Sequence, residues 1–243
     1  MAHIIRMTNI LKDPNILIYA ILVGLVPAVF WLWFWLKEEE DDKRPEPLGL
    51  IIISFITGGL MVLIAIWLEK YSLNFIKDNT TQVIVWAAIE ELLKFGGVAM
   101  IVFGTNIIDE PIDYPVYFIT CALGFAAFEN VLYLLKLFDG SGTVIGILTG
   151  NLRFLGSTLL HAMASAIIGS ALGLSYYLNR YRGIYLFIGI ILAIVLHSIF
   201  NFFIMKGSGE NFISVFGFLW VIAIINILVF EKLKRMGQSI QTT

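Results

Sequence analysis

Charge is scarce in this sequence. Lys, Arg, Asp and Glu make up 14% of its 243 residues, against about 25% in ordinary soluble domains. The net charge is −2, and no basic run is longer than the short stretch Lys232–Arg235. That leaves nothing to neutralise a polyanion, so nucleic acid is excluded as a partner. Cysteine is nearly absent. The single Cys121 lies in an apolar run, which rules out an intrachain disulfide and gives no redox compartment. No internal repeat, low-complexity tract or polar stretch of domain length interrupts the chain, so residues 1–243 are expected to form one domain. A cleavable signal peptide is also missing. The first apolar run, Ile16–Leu36, is too long for one and lacks a small-x-small exit, so it reads as a retained span.

What is abundant is apolar surface. Hydrophobic residues account for 59% of the chain, and the mean hydropathy is +0.88. A globule of this size cannot hide that much, so the excess must face lipid. Windows of about 20 apolar residues fall at 15–36, 48–68, 83–103, 114–135, 152–177, 184–205 and 212–231. A backbone in hydrocarbon has to satisfy its own hydrogen bonds, so these spans are helices. The expected fold is all-α, a polytopic transmembrane bundle of about seven spans in a prokaryotic plasma membrane.

The connections hold most of the remaining charge. Residues 37–47 (KEEEDDKRPEP) form a proline-bounded charged loop, 69–82 a polar one, and 232–243 a polar, frayed tail. Trp31, Trp33 and Trp35 read as an interfacial aromatic belt. Gly146/Gly150 and Gly169/Gly173 read as small-xxx-small pairs for close helix approach. Lys and Arg outside the spans number six on the N-terminal side and eight on the other. The positive-inside rule thus leans to an outside N-terminus.

Ionisable side chains inside the spans stand out, since each costs at least ~2.5–3.5 kcal/mol at the bilayer centre. The third span carries Glu90, Glu91 and Lys94, and the fourth Glu129 and Asn130. The fifth carries Arg153, Ser157 and His161, and the sixth His197 and Asn201. Glu90/Lys94, Arg153/Ser157/His161 and His197/Asn201 recur at intervals of four, which places each set on one helix face. Counted at 1.5 Å per residue, Glu90, Glu129 and His197 lie ~9–12 Å from span ends on the same side. The spacing therefore predicts one polar site with catalytic core 83–205.

Adjacent carboxylates in a low dielectric make a general acid/base. Histidines from different helices with a carboxylate suit catalytic zinc or another divalent metal, and Glu129, His161 and His197 are the candidate ligands. The same groups could equally hold an activated water without metal. Asn201 could donate to an oxyanion, and Lys94, Asn130, Arg153 and Ser157 are candidate supports or substrate contacts. A transporter using these groups as an ion relay is the rival reading, although the inverted repeat and paired helix breaks of such proteins are absent. A catalytically dead scaffold is a third.

Four motifs in order, EELLK (90–94), FAAFEN (125–130), RFLGSTLLH (153–161) and HSIFN (197–201), resemble the PrsW family of intramembrane proteases. That family sits within the group that includes CAAX prenyl endopeptidases and bacteriocin-processing proteins. The resemblance implies hydrolysis of a peptide bond in a membrane-anchored protein in or beside the lipid bilayer, of which a single-pass anti-sigma factor is the example. It further implies that Glu90 and Glu91 are catalytic carboxylates, with His161 and His197 as ligands or polarising groups and Asn201 as oxyanion partner. Glu129 stands where CAAX endopeptidases carry histidine, which argues against a prenylated substrate.

Overall fold

The computed structural model describes residues 14–40, 46–103, 105–139, 144–206 and 212–238, and those residues form seven long helices. They are α1 (Pro14–Glu40), α2 (Leu48–Ser72), α3 (Asn79–Val102), α4 (Asp113–Asp139), α5 (Val144–Leu174), α6 (Arg182–Lys206) and α7 (Phe212–Gln238). A 3₁₀ turn, Asn179–Tyr181, joins α5 to α6. Six of the seven are long and apolar enough to cross a membrane. The exception is α3, which carries Glu90, Glu91 and Lys94 in mid-helix, so its own polar centre breaks the apolar signature.

Most helices overrun the spans expected from hydropathy, because helix propensity continues where apolarity stops. The largest shift of a start is in α5, which begins eight residues earlier than its apolar window, at Val144 instead of 152. The polar stretch 69–82 shrinks to a short turn, 73–78, because α2 runs on to Ser72 and α3 begins at Asn79. Asp78 caps α3 by accepting from the Thr81 backbone N–H and hydroxyl, each at 2.8 Å, as an N-cap aspartate does. These two bonds hold its carboxyl below the usual carboxylate range. The expected frayed tail is instead helical to Gln238, with Leu233 and Lys234 buried. Residues 41–45 of the charged loop and 239–243 lie outside the described residues.

Helices α4 and α5 form the centre, and α1, α2, α3, α6 and α7 pack around them. Their sequences explain the placement. Residues 113–127 of α4 are buried without a break and include Thr120, Cys121, Ala122, Gly124, Ala126 and Ala127. Such small side chains let neighbouring backbones close in, which matters where lipid removes the hydrophobic drive between helices. At the α2–α4 crossing a Cβ on Gly58 would strike the Cys121 carbonyl, and one on Gly124 would strike that of Phe55. Gly169 packs in the same way against Pro115, so the Gly169/Gly173 pair is a close-approach surface. The side chains around Gly146 and Gly150 are outside the described set.

The tryptophan belt splits in two. Trp33 is exposed and faces outward, whereas Trp35 is buried with its ring 5.4 Å from Phe230. Trp31, one turn from Trp35, meets Trp220 at 6.1 Å. Positions four apart share a face, so only Trp33 of the three is left for the interface.

A Glu/His centre inside the bundle

Four helices deliver the site. Glu90, Glu91 and Lys94 come from α3, Glu129 from α4, His161 from α5 and His197 from α6. Glu91 and Lys94 are fully buried, and Glu90, His161 and His197 nearly so. Residues predicted from four separate stripes thus meet in one place.

Lys94 fixes the protonation pattern. Its Nζ donates to Glu91 Oε1 at 2.6 Å and lies 2.9 Å from His161 Nδ1. An ammonium can only donate, so His161 Nδ1 is the acceptor and the ring proton sits on Nε2. That Nε2 is 2.8 Å from Glu129 Oε2, to which it donates. On the other imidazole, His197 Nδ1 donates to Glu91 Oε1 at 2.6 Å, which leaves the lone pair of Nε2 free. The ammonium also rides 5.1 Å above the Phe125 ring. Lys94 pairs with Glu91, three apart on the helix.

What Glu90 faces is the centre itself. Its Oε2 lies 3.9 Å from His161 Nδ1 and 3.7 Å from His197 Nε2. That oxygen is buried and has no hydrogen-bond partner. The two imidazoles stand edge to face, with centroids 5.0 Å apart. One ligand atom from each of Glu90, His161 and His197 lies within 4.8 Å of the others. Ligands ~2.1 Å from a tetrahedral zinc stand ~3.4 Å apart, so a small contraction of this trio would fit a divalent ion. By sequence, Glu129 is a candidate ligand beside the two histidines. The structure instead puts Glu90 in the trio and Glu129 on the outer nitrogen of His161. The reason is helical phase: α3 turns Glu90 into the gap between the two rings, while Glu129 meets His161 from its far side.

The supporting residues divide. Asn130 is buried and donates through Nδ2 to Thr158 Oγ1 at 3.1 Å, a bond between α4 and α5 that locks the helices carrying Glu129 and His161. Ser157 and Asn201 are half-buried and take part in none of the hydrogen bonds above. The Arg153 side chain lies outside the described residues.

One participant was not anticipated. Glu69, assigned from sequence to a polar loop, sits on the last turns of α2, close enough to the Glu90 carboxyl for the two to interact. Its turn is held against α3. Ser72 Oγ donates to the Glu69 carbonyl at 2.6 Å and accepts from Trp86 Nε1 at 3.1 Å. The available signal was a glutamate directly at an apolar span's end, on the side where the other acids gather.

A multi-pass membrane protein with carboxylates and histidines converging inside its helices, both imidazoles oriented by carboxylates, is built as an intramembrane hydrolase of the metal-dependent type. Comparison with known proteins gives the family: residues 46–229 match the PrsW family of intramembrane metalloproteases, and the chain belongs to it. A Geobacillus kaustophilus protein named Protease PrsW is 30% identical over 190 residues, covering 76% of this chain and 79% of the relative. Its Oceanobacillus iheyensis namesake is 30% identical over 223 residues, 89% and 95% of the two chains. A third, from Clostridioides difficile, is 26% identical over 233 residues, 90% and 93%. No solved structure matches. The chain is thus a multi-pass integral membrane protease, and the ion-carrier reading gives way.

Proposed function

We propose that Glu90, His161 and His197 form the hydrolytic centre and that Glu129 handles the proton. The observation that carries this is the orientation of the two rings. Each gives its outer nitrogen to a carboxylate, Glu129 or Glu91, and its inner nitrogen lies 3.7–3.9 Å from the unpartnered Glu90 oxygen, with His161 Nδ1 also accepting from Lys94. Such outer carboxylates fix the tautomer and raise ring basicity toward a metal.

Glu90, His161 and His197 are the residues that would hold a divalent metal. Bound there, it would supply Lewis-acid polarisation and an acidified water. Lys94 donates to Glu91 and to His161 Nδ1 and so orients both groups. Glu129, whose side chain is 39% exposed, is less buried than Glu90 or Glu91. It accepts a proton as water attacks the scissile carbonyl and returns it to the leaving amine. Asn201, one turn beyond His197, serves as hydrogen-bond donor to the oxyanion. Glu91 and Lys94 position His197, and Asn130 and Thr158 position the helices.

The substrate is a membrane-anchored protein, and a single-pass anti-sigma factor fits the family resemblance. Co-expression with tagged single-pass proteins, anti-sigma factors first, tests both claims. Fragments should appear with wild type and vanish with Glu90→Gln, Glu129→Gln, His161→Ala and His197→Ala at equal expression. Fragments that persist in all four variants would place the chemistry elsewhere.

A further inference from the structure

At the end of the bundle opposite the Glu90 centre lies a cavity of about 720 Å³, bounded by the ends of α3 and α5 and the starts of α4 and α6. Val102, Leu172 and Leu186 make its apolar walls, and Thr105, Asn179 and Arg182 its polar ones. Glu90 is twelve residues before Val102 on α3, so the two sites are ~18 Å apart along the helix axis.

Arg182 is the unusual member. Its Nη2 donates to Tyr114 Oη. Its guanidinium carbon lies 5.2 Å from the Tyr114 ring centroid and 5.8 Å from that of Phe103. Among the described residues it makes no ion pair with a carboxylate. Asp113, its nearest candidate by sequence to Tyr114, spends Oδ2 on the backbone N–H groups of Asp109 and Glu110. A snorkelling arginine reaches out into water. This one is half-buried, tied back by a hydroxyl and stacked on two rings, so its charge is aimed at the cavity without a counterion.

The surroundings narrow the ligand. Phe103, which lines the cavity, is 40% exposed, and Ile184 and Phe187 at the start of α6 are 57% and 66% exposed, which in a membrane means facing acyl chains. A fixed guanidinium with the Asn179 amide above an apolar floor suits a phosphate that carries a hydrocarbon chain. We propose that this cavity binds an anionic phospholipid, its headgroup phosphate on Arg182 and one acyl chain along the exposed apolar flank of α6.

Native mass spectrometry of the full chain in detergent tests this with phosphatidylglycerol, phosphatidylcholine and inorganic phosphate as probes. Wild type should retain phosphatidylglycerol over phosphatidylcholine by about tenfold, because both carry the phosphate but the choline ammonium of phosphatidylcholine offsets its charge beside Arg182. Arg182→Gln should lose that preference. Arg180→Gln, an exposed neighbour outside the cavity, should keep it. Leu186→Trp fills the cavity while leaving the guanidinium in place, and should also lose it. Equal retention of both lipids by wild type overturns the proposal, as does equal loss in Arg180→Gln and Arg182→Gln. Displacement of the lipid by inorganic phosphate at equal concentration would make a soluble phosphate compound the ligand instead.

Discussion

Lys94 is the group whose removal should be felt most widely. It is fully buried, its ammonium is 2.6 Å from Glu91 and 2.9 Å from His161, and no water can replace it. Lys94→Met keeps the length and the apolar stem but strands the Glu91 carboxylate with His197 as its remaining partner. Breaking a buried pair by deleting one member costs about 3–5 kcal/mol, because the other charge is left unmatched. The loss should appear as a lower thermal midpoint in detergent, read by intrinsic fluorescence. Glu91→Gln alone strands the ammonium and should cost a similar amount. The double variant removes both charges, so it should be less damaged than the two singles added together, by about 2 kcal/mol within the 0.5–3 range found for contacting pairs. Effects that add to within ~0.5 kcal/mol would mean that Lys94 and Glu91 are not coupled, and the protonation pattern deduced for both histidines would fall with them.

Gly124→Leu should cost about 1–3 kcal/mol from forced overpacking, since the added side chain meets the α2 backbone at Phe55, whereas Gly96→Ala, with open space around it, should be silent. Thermal midpoints of the two variants side by side make the comparison. Burial pushes the Glu46 carboxyl above its usual range, although a hydrogen bond from Tyr117 opposes this. The folded state therefore holds this proton more tightly than the unfolded state. Its contribution to stability is complete below the ordinary carboxylate pKa and lost as pH rises through the elevated one. Stability measured against pH should fall across that window in wild type and fall less in Glu46→Gln; parallel curves would refute the assignment.

Much of the site was legible because a membrane makes polar residues conspicuous. Glu90, Glu91, Glu129, His161 and His197 each violate an apolar span, and matched depth was enough to collect them at one centre. Helical phase was not legible to the same degree. A spacing of four puts Glu90 and Lys94 on one face, yet Lys94 pairs with Glu91, and Glu90 lies beside the histidines. Depth alone could not tell which carboxylate lies between the two rings and which meets a ring's outer nitrogen: Glu90 does the first and Glu129 the second. Glu69 escaped because hydropathy ends a span where polarity begins, while the α2 helix itself runs on to Ser72. The Trp35 contact with Phe230 was hidden for a related reason: composition marks an interfacial belt, yet only tertiary packing says which ring turns inward.

Metal content tests the central claim most directly. The full chain, purified in detergent and freed of loosely bound ions, should carry about one divalent metal per molecule by elemental analysis, as a catalytic site with three protein ligands does. Glu90→Gln, His161→Ala and His197→Ala should each lose it, while Glu129→Gln keeps the metal and loses cleavage. Metal retained in the three ligand variants, or wild type that cleaves its substrate while metal-free, would contradict a metal centre built on Glu90, His161 and His197.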